Sequence, residues 1–129
     1  ISEVAGLISD AGTICITAFI SPYRSDRKRA RDIKPERFHE IYIKASLDAC
    51  EDRDPKGLYK KARKGEIKQF TGIDSPYETP ENPDLVVDTE ANDIDTCIAQ
   101  IVNYIESNIA VKKNDNDAQN ENGEKALAI

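Results

Sequence analysis

Residues 13–19, TICITAF, are a short and almost unbroken apolar run rich in β-branched side chains, set between two segments of helical pattern. Such a run suits a strand buried on both faces of a parallel sheet, where crossover helices cover both sides and no polar alternation is needed. Upstream, Ile1, Val4, Leu7, Ile8 and Ala11 share one helical face, and Gly12 stands where a helix-ending glycine is expected. Downstream, Ser21 and Pro22 stop the run. Ser25 is placed to cap a highly charged helix through Ile33, which Lys34 and Pro35 close. Residues 38–45 read as a second strand, and Ser46 caps a short helix that Asp54, Pro55 and Gly57 break. Residues 58–64 are helical again, ended by Gly65. Residues 70–83 carry Gly72, Pro76, Pro80 and Pro83 and predict an extended surface loop. Residues 85–87 give a third strand. Asn92 or Asp93 caps a last helix with a stripe of Ile94, Cys97, Ile98, Ile101, Val102, Ile105 and Ile109. Helices alternating with strands imply an open parallel α/β sheet with flanking helices, which binds ligands beyond the carboxyl ends of its strands.

With 129 residues, 39% of them hydrophobic, the chain is sized for one core. It has no run of about 20 apolar residues to cross a bilayer and no leader-like amino end. The expected compartment is the cytoplasm, with an organelle as the alternative. Cys15, Cys50 and Cys97 are too widely spaced for a metal knuckle and read as reduced thiols. The absence of methionine and the start on Ile1 within a helical pattern suggest a piece of a longer protein. Residues 1–111 are expected to form the folded unit. Residues 112–129 are almost free of apolar side chains up to Lys125 and are expected to be disordered.

Charge is distributed unevenly. The chain carries −6, yet residues 53–68 hold seven basic residues (Arg53, Lys56, Lys60, Lys61, Arg63, Lys64, Lys68) against Asp54 and Glu66. An acidic surface repels nucleic acid and anionic membranes, so this island points to a phosphate or sulfate ligand held locally. Gly57, Gly65 and Gly72 would let residues 53–77 close as a lid, which suits phosphoryl transfer because closure excludes water. Phe70 is either a stacking surface for a base or a loop aromatic folded back on the core. In FISPYR, Ser21 and Arg24 offer a hydroxyl and a guanidinium at the sheet edge, or else make an ordinary strand-end turn. The run Asp26, Arg27, Lys28, Arg29, Arg31, Asp32 reads as a solvated helix face.

Taken together, FISPYR, RDPKGLYKKARKGEIKQFTGIDSPYE and PENPDLVVDT resemble the adenylyl-sulfate kinase family over residues 1–109. That resemblance implies a P-loop kinase fold and transfer of the γ-phosphoryl of ATP, with Mg²⁺, to the 3′-hydroxyl of adenosine 5′-phosphosulfate. The products would be 3′-phosphoadenylyl sulfate and ADP, in sulfate activation. It implies that Ile20 and Ser21 border the adenylyl sulfate, Ser21 being a phosphoserine intermediate or, as favoured here, a substrate contact. Lys56 would face the same substrate, and Gln69 with Phe70 would flank its adenine; position 69 is often glycine in relatives. Arg53 and Asn92 would lie near the ATP base. A homodimer, or fusion to a sulfurylase, is also implied as an option.

The chain departs from the family in lacking any GxxxxGK[ST] motif, the loop that cradles ATP phosphates and places Mg²⁺. No protein ligand for the metal is therefore assigned. The family's acidic segment after that loop is missing too, as is the family's first strand, which would lie in the sheet between the strands at residues 13–19 and 38–45. The chain alone is expected to be incompetent for turnover. The alternative is a non-catalytic nucleotide-binding or regulatory module derived from such a kinase, and the blandest option is an α/β domain whose basic loop binds nothing specific.

Overall fold

The computed structural model describes residues 1–109, so the expected disorder of residues 112–129 lies outside the described residues. Seven elements follow one another: α1 (Ser2–Asp10), α2 (Arg24–Ile33), β1 (Ile41–Lys44), α3 (Leu47–Arg53), α4 (Leu58–Arg63), β2 (Leu85–Asp88) and α5 (Ile94–Asn108). β1 and β2 pair in parallel, with Ile41 opposite Leu85 and Lys44 opposite Asp88. The 40 residues between them carry α3 and α4, as a parallel pair requires a long crossover. α5 packs on β2, α1 on α2, and α3 on α4. Val87 in β2 is fully buried and Ala62 in α4 nearly so. At the α1–α2 contact Gly6 is buried, and a Cβ there would stand 3.4 Å from Ile33 Cγ2.

Local capping chemistry explains several boundaries. Ser46 Oγ accepts from Ala49 N–H at 3.1 Å and opens α3. Of the two candidates at α5, Asp93 is the cap, accepting from Thr96 N–H at 2.8 Å. Gly65, at φ 75°, follows α4 and donates to the Ala62 carbonyl.

Two expectations are corrected. Residues 13–19 do not form a strand, because among the described residues no chain runs beside them to complete a ladder. Ile14, Ile16 and Phe19 are accordingly exposed, as are Ile43, Val86, Ile98 and Val102 elsewhere. Ser25 does not cap α2. The helix starts two residues earlier, at Arg24 with Tyr23 in the cap position, and the Arg24 N–H donates to Glu78 Oε2 at 2.7 Å. A full carboxylate at the positive end of the helix dipole is a stronger partner than a neighbouring hydroxyl. No helix among the described residues is long and apolar enough to cross a membrane.

Candidate functional site

The FISPYR segment leaves the apolar run and turns sharply at Ser21, whose φ of 41° is in the left-handed region. A side chain there is strained by roughly 1 kcal/mol or more, so the surroundings must hold it. They do so through Arg27. Its Nη1 donates to the Ser21 carbonyl and its Nη2 to the Glu78 carbonyl, each at 2.6 Å, while Nε pairs with Glu40 Oε1 at 2.7 Å. Ser21 is half-buried, its hydroxyl unbonded to protein among the described residues, and Ile20 beside it is 68% exposed.

The basic segment is built from two pinned turns. Asp54 caps α4, accepting from Tyr59 and Lys60 N–H at 3.1 Å each, and Lys56 stands exposed in the intervening turn. At the second turn, Asp74 accepts from the amides of Gln69 and Phe70. The Phe70 carbonyl in turn accepts from Ile73, Asp74 and Ser75. The two amide donors hold the Asp74 carboxyl below the usual carboxylate range. Gln69 adopts φ 56° in this turn. Glycine suits such a geometry best.

Tyr59 joins the two turns: its ring meets that of Phe70 edge to face at 4.9 Å. Burial, then the nearby Cys50, pushes the Tyr59 hydroxyl up. Phe70 is therefore partly folded back, as one reading of the loop had it, and only half-buried. Gly72, at φ 87°, approaches Leu47 so closely that a Cβ would sit 3.0 Å from its Cδ1.

Arg53 and Asn92 converge on the carboxyl end of β2. Arg53 grips Thr89 through Oγ1 at 2.8 Å and the carbonyl at 2.7 Å, and Asn92 Nδ2 donates to the Asp88 carbonyl at 2.9 Å. Arg53 thus anchors the near end of the basic segment. Among the described residues no hydrogen bond joins Ile20 or Ser21 to Lys56, Gln69 or Phe70.

The charges on the basic segment are mostly uncommitted. Arg63 pairs with Glu51, which lowers the glutamate's pKa and raises that of the arginine. Lys56, Lys60, Lys61, Lys64 and Lys68 have no salt bridge among the described residues. A segment with five such ammonium groups and an aromatic ring in a pinned turn has the chemistry to take a polyanion bearing a base. No group of three His, Cys, Asp or Glu among the described residues stands ready to hold a metal.

Sequence reasoning missed Arg27, Glu78 and Asp74. For Arg27 the signal was weak: the solvated-face reading holds for Lys28 and Arg29, whose side chains are 73% and 80% exposed, but fails at Arg27, at 10%. Asp74 carries the clearer signal, since an aspartate side chain in a glycine-containing loop readily accepts from nearby backbone amides.

The chain is similar in sequence and fold to proteins of one family. The family model for adenylylsulphate kinase matches residues 1–88. An adenylyl-sulfate kinase of Staphylococcus carnosus is 59% identical over 107 residues, covering 82% of this chain and 54% of its own length. One from Prochlorococcus marinus is 60% identical over 106 residues, 81% of this chain and 53% of its own. The chain thus spans about half the length of the curated relatives it matches. Among solved structures, the Mycobacterium tuberculosis APS kinase in complex with AMPPNP and APS superposes with TM-score 0.76 at 42% identity. That match covers 81% of this chain and 62% of the other. With a family model over residues 1–88 and relatives about 60% identical over four-fifths of its length, the chain belongs to the adenylyl-sulfate kinase family.

Proposed function

We propose that this chain supplies the lid and one wall of a site that phosphorylates the 3′-hydroxyl of adenosine 5′-phosphosulfate with ATP, forming 3′-phosphoadenylyl sulfate and ADP. The observation that carries this reading is the Gln69–Phe70 turn, pinned by Asp74, on a segment whose five lysines have no salt bridge among the described residues. Phe70 stacks on the adenine, and Lys56 neutralises the phosphosulfate. Ile20 and Ser21 border the same ligand, the free Ser21 hydroxyl contacting it. Phosphoryl transfer rests mainly on positioning and charge neutralisation, so a direct in-line attack needs no phosphoserine. Arg53 and Asn92, fixed at the end of β2, would lie beside the ATP base. Mg²⁺ would arrive with the ATP phosphates and neutralise their charge, held by groups other than those described here.

Turnover by the 129-residue chain alone is not expected, because the sequence has no GxxxxGK[ST] loop to cradle ATP. The test is formation of 3′-phosphoadenylyl sulfate by the chain itself and by a joined protein. In the joined protein, the portion of the Staphylococcus carnosus relative that this chain does not span is added to it. Activity of the joined protein alone is the expected result. Turnover by the short chain contradicts the role given to the missing loop, and an inactive joined protein contradicts the kinase reading.

The same missing loop favours a second reading, a nucleotide-binding module without chemistry. Saturable adenylyl-sulfate binding by the chain, together with an inactive joined protein, would establish it.

A further inference from the structure

We infer that Arg27 is a positioning residue that locks the substrate wall at Ser21 to the far end of the lid. The inference rests on the proposed kinase reading for its ligand, and on geometry for the lock.

One guanidinium makes all three connections. Two of its nitrogens hold the carbonyls of Ser21 and Glu78, and the third faces Glu40 just ahead of β1. The lid exit is bound to the wall a second time, since Glu78 N–H donates to the Pro22 carbonyl at 2.8 Å. A third tie is the Glu78 carboxylate on the Arg24 N–H at 2.7 Å. Arg24 adds a bond from Nε to the Thr79 carbonyl at 2.9 Å. Tyr77, just before these residues, stacks on Tyr42 of β1 with ring centres 6.4 Å apart, and the Arg27 guanidinium lies 6.0 Å from its ring.

The lid therefore has a fixed far hinge at residues 77–79, as Arg53 on Thr89 gives it a fixed near one. The strained φ of Ser21 is the conformation that this lock selects. A planar fork carries its donors on three separate nitrogens and so reaches two carbonyls and a carboxylate on different segments, a spread that the three donors of a single ammonium nitrogen do not match. Arg27 accordingly acts on the substrate through Ser21 and not by contact.

Arg27→Lys separates charge from geometry, because it keeps a cation opposite Glu40 and loses the fork. In the joined protein, amide hydrogen exchange at Arg24 and Glu78 reads the lock, and calorimetry with adenylyl sulfate reads its consequence. Expected for Arg27→Lys are a melting temperature near that of the unsubstituted joined protein, faster exchange at both amides by about tenfold, and adenylyl-sulfate affinity lowered about tenfold. Arg27→Ala should lower affinity at least as far, with partial recovery on adding methylguanidinium. Unchanged affinity in Arg27→Lys with exchange accelerated overturns the positioning role. Unchanged exchange overturns the lock itself. If the unsubstituted joined protein binds no adenylyl sulfate while both amides stay protected, the kinase reading falls and takes the substrate role of Arg27 with it.

Discussion

α2 and the segment from Arg53 to Lys68 are both strongly basic, but their charges have opposite fates. In α2 the guanidiniums face carboxylates: Arg24 with Glu81, Arg27 with Glu40, and Arg31 with Asp84 at 2.7 Å. In the second segment Arg63 has Glu51 and Arg53 has Thr89, while the five lysines keep no salt bridge among the described residues. Planar arginine forks are spent on architecture, and mobile lysines are left for a ligand. A basic run is therefore informative about binding only once its partners are known.

The first way to break this contrast is to remove a counter-charge from α2. Glu40→Ala leaves the largely buried Arg27 cation uncompensated and should destabilise the fold by about 3 kcal/mol, read by urea or thermal unfolding. A loss below about 0.5 kcal/mol would place Arg27 with the uncommitted charges.

Substitutions in the basic segment should do the reverse, leaving stability nearly intact and weakening the ligand. Phe70→Leu in the joined protein should cost roughly 2 kcal/mol of adenylyl-sulfate binding, since an aromatic–base stack is worth about 1–3 kcal/mol. Calorimetry checks it, and unchanged affinity would return Phe70 to a purely packing role against Tyr59. Lys56→Ala should lower affinity about tenfold, near 1.4 kcal/mol, and the loss should shrink as salt is raised because the group is exposed. A loss that does not respond to salt would argue against a solvent-facing lysine.

A smaller effect is expected at Gln69. Its left-handed φ favours glycine, so Gln69→Gly should stabilise the turn by at most about 1 kcal/mol. Lower stability in that variant would show the Gln69 side chain making a contact that outweighs the strain.

The smallest effect is in pH. The folded pKa of Asp74 is depressed, so the stability from its pin is complete above the ordinary carboxylate value of about 3.9 and is lost as pH falls through the lowered value. Exchange at the Gln69 and Phe70 amides should be insensitive to this group between pH 5 and 8, apart from intrinsic rates, and accelerate only in acid. Asp74→Ala should show the unpinned rate throughout.

How much of this was legible from the chain depends on the range of the forces involved. Ser46, Asp93 and Gly65 act within a turn of themselves, and each has its expected role. The run at residues 13–19 has the composition of a strand, but a strand is defined by its neighbour, and none is present among the described residues. Ser25 had the chemistry of a cap and lost the position to Glu78, a competitor far along the chain. Arg27 and Lys28 are adjacent and alike in charge, and only the tertiary position of Glu40 and of the Ser21 and Glu78 carbonyls separates them.

The central claim is that the uncommitted charges and the pinned aromatic of the basic segment serve adenylyl sulfate. The most direct measurement is calorimetric titration of adenylyl sulfate into the joined protein, unsubstituted and with Lys56→Ala and Phe70→Leu combined. Saturable binding that the double substitution nearly abolishes, at an unchanged melting temperature, is the predicted result. Equal binding by both proteins would contradict the account.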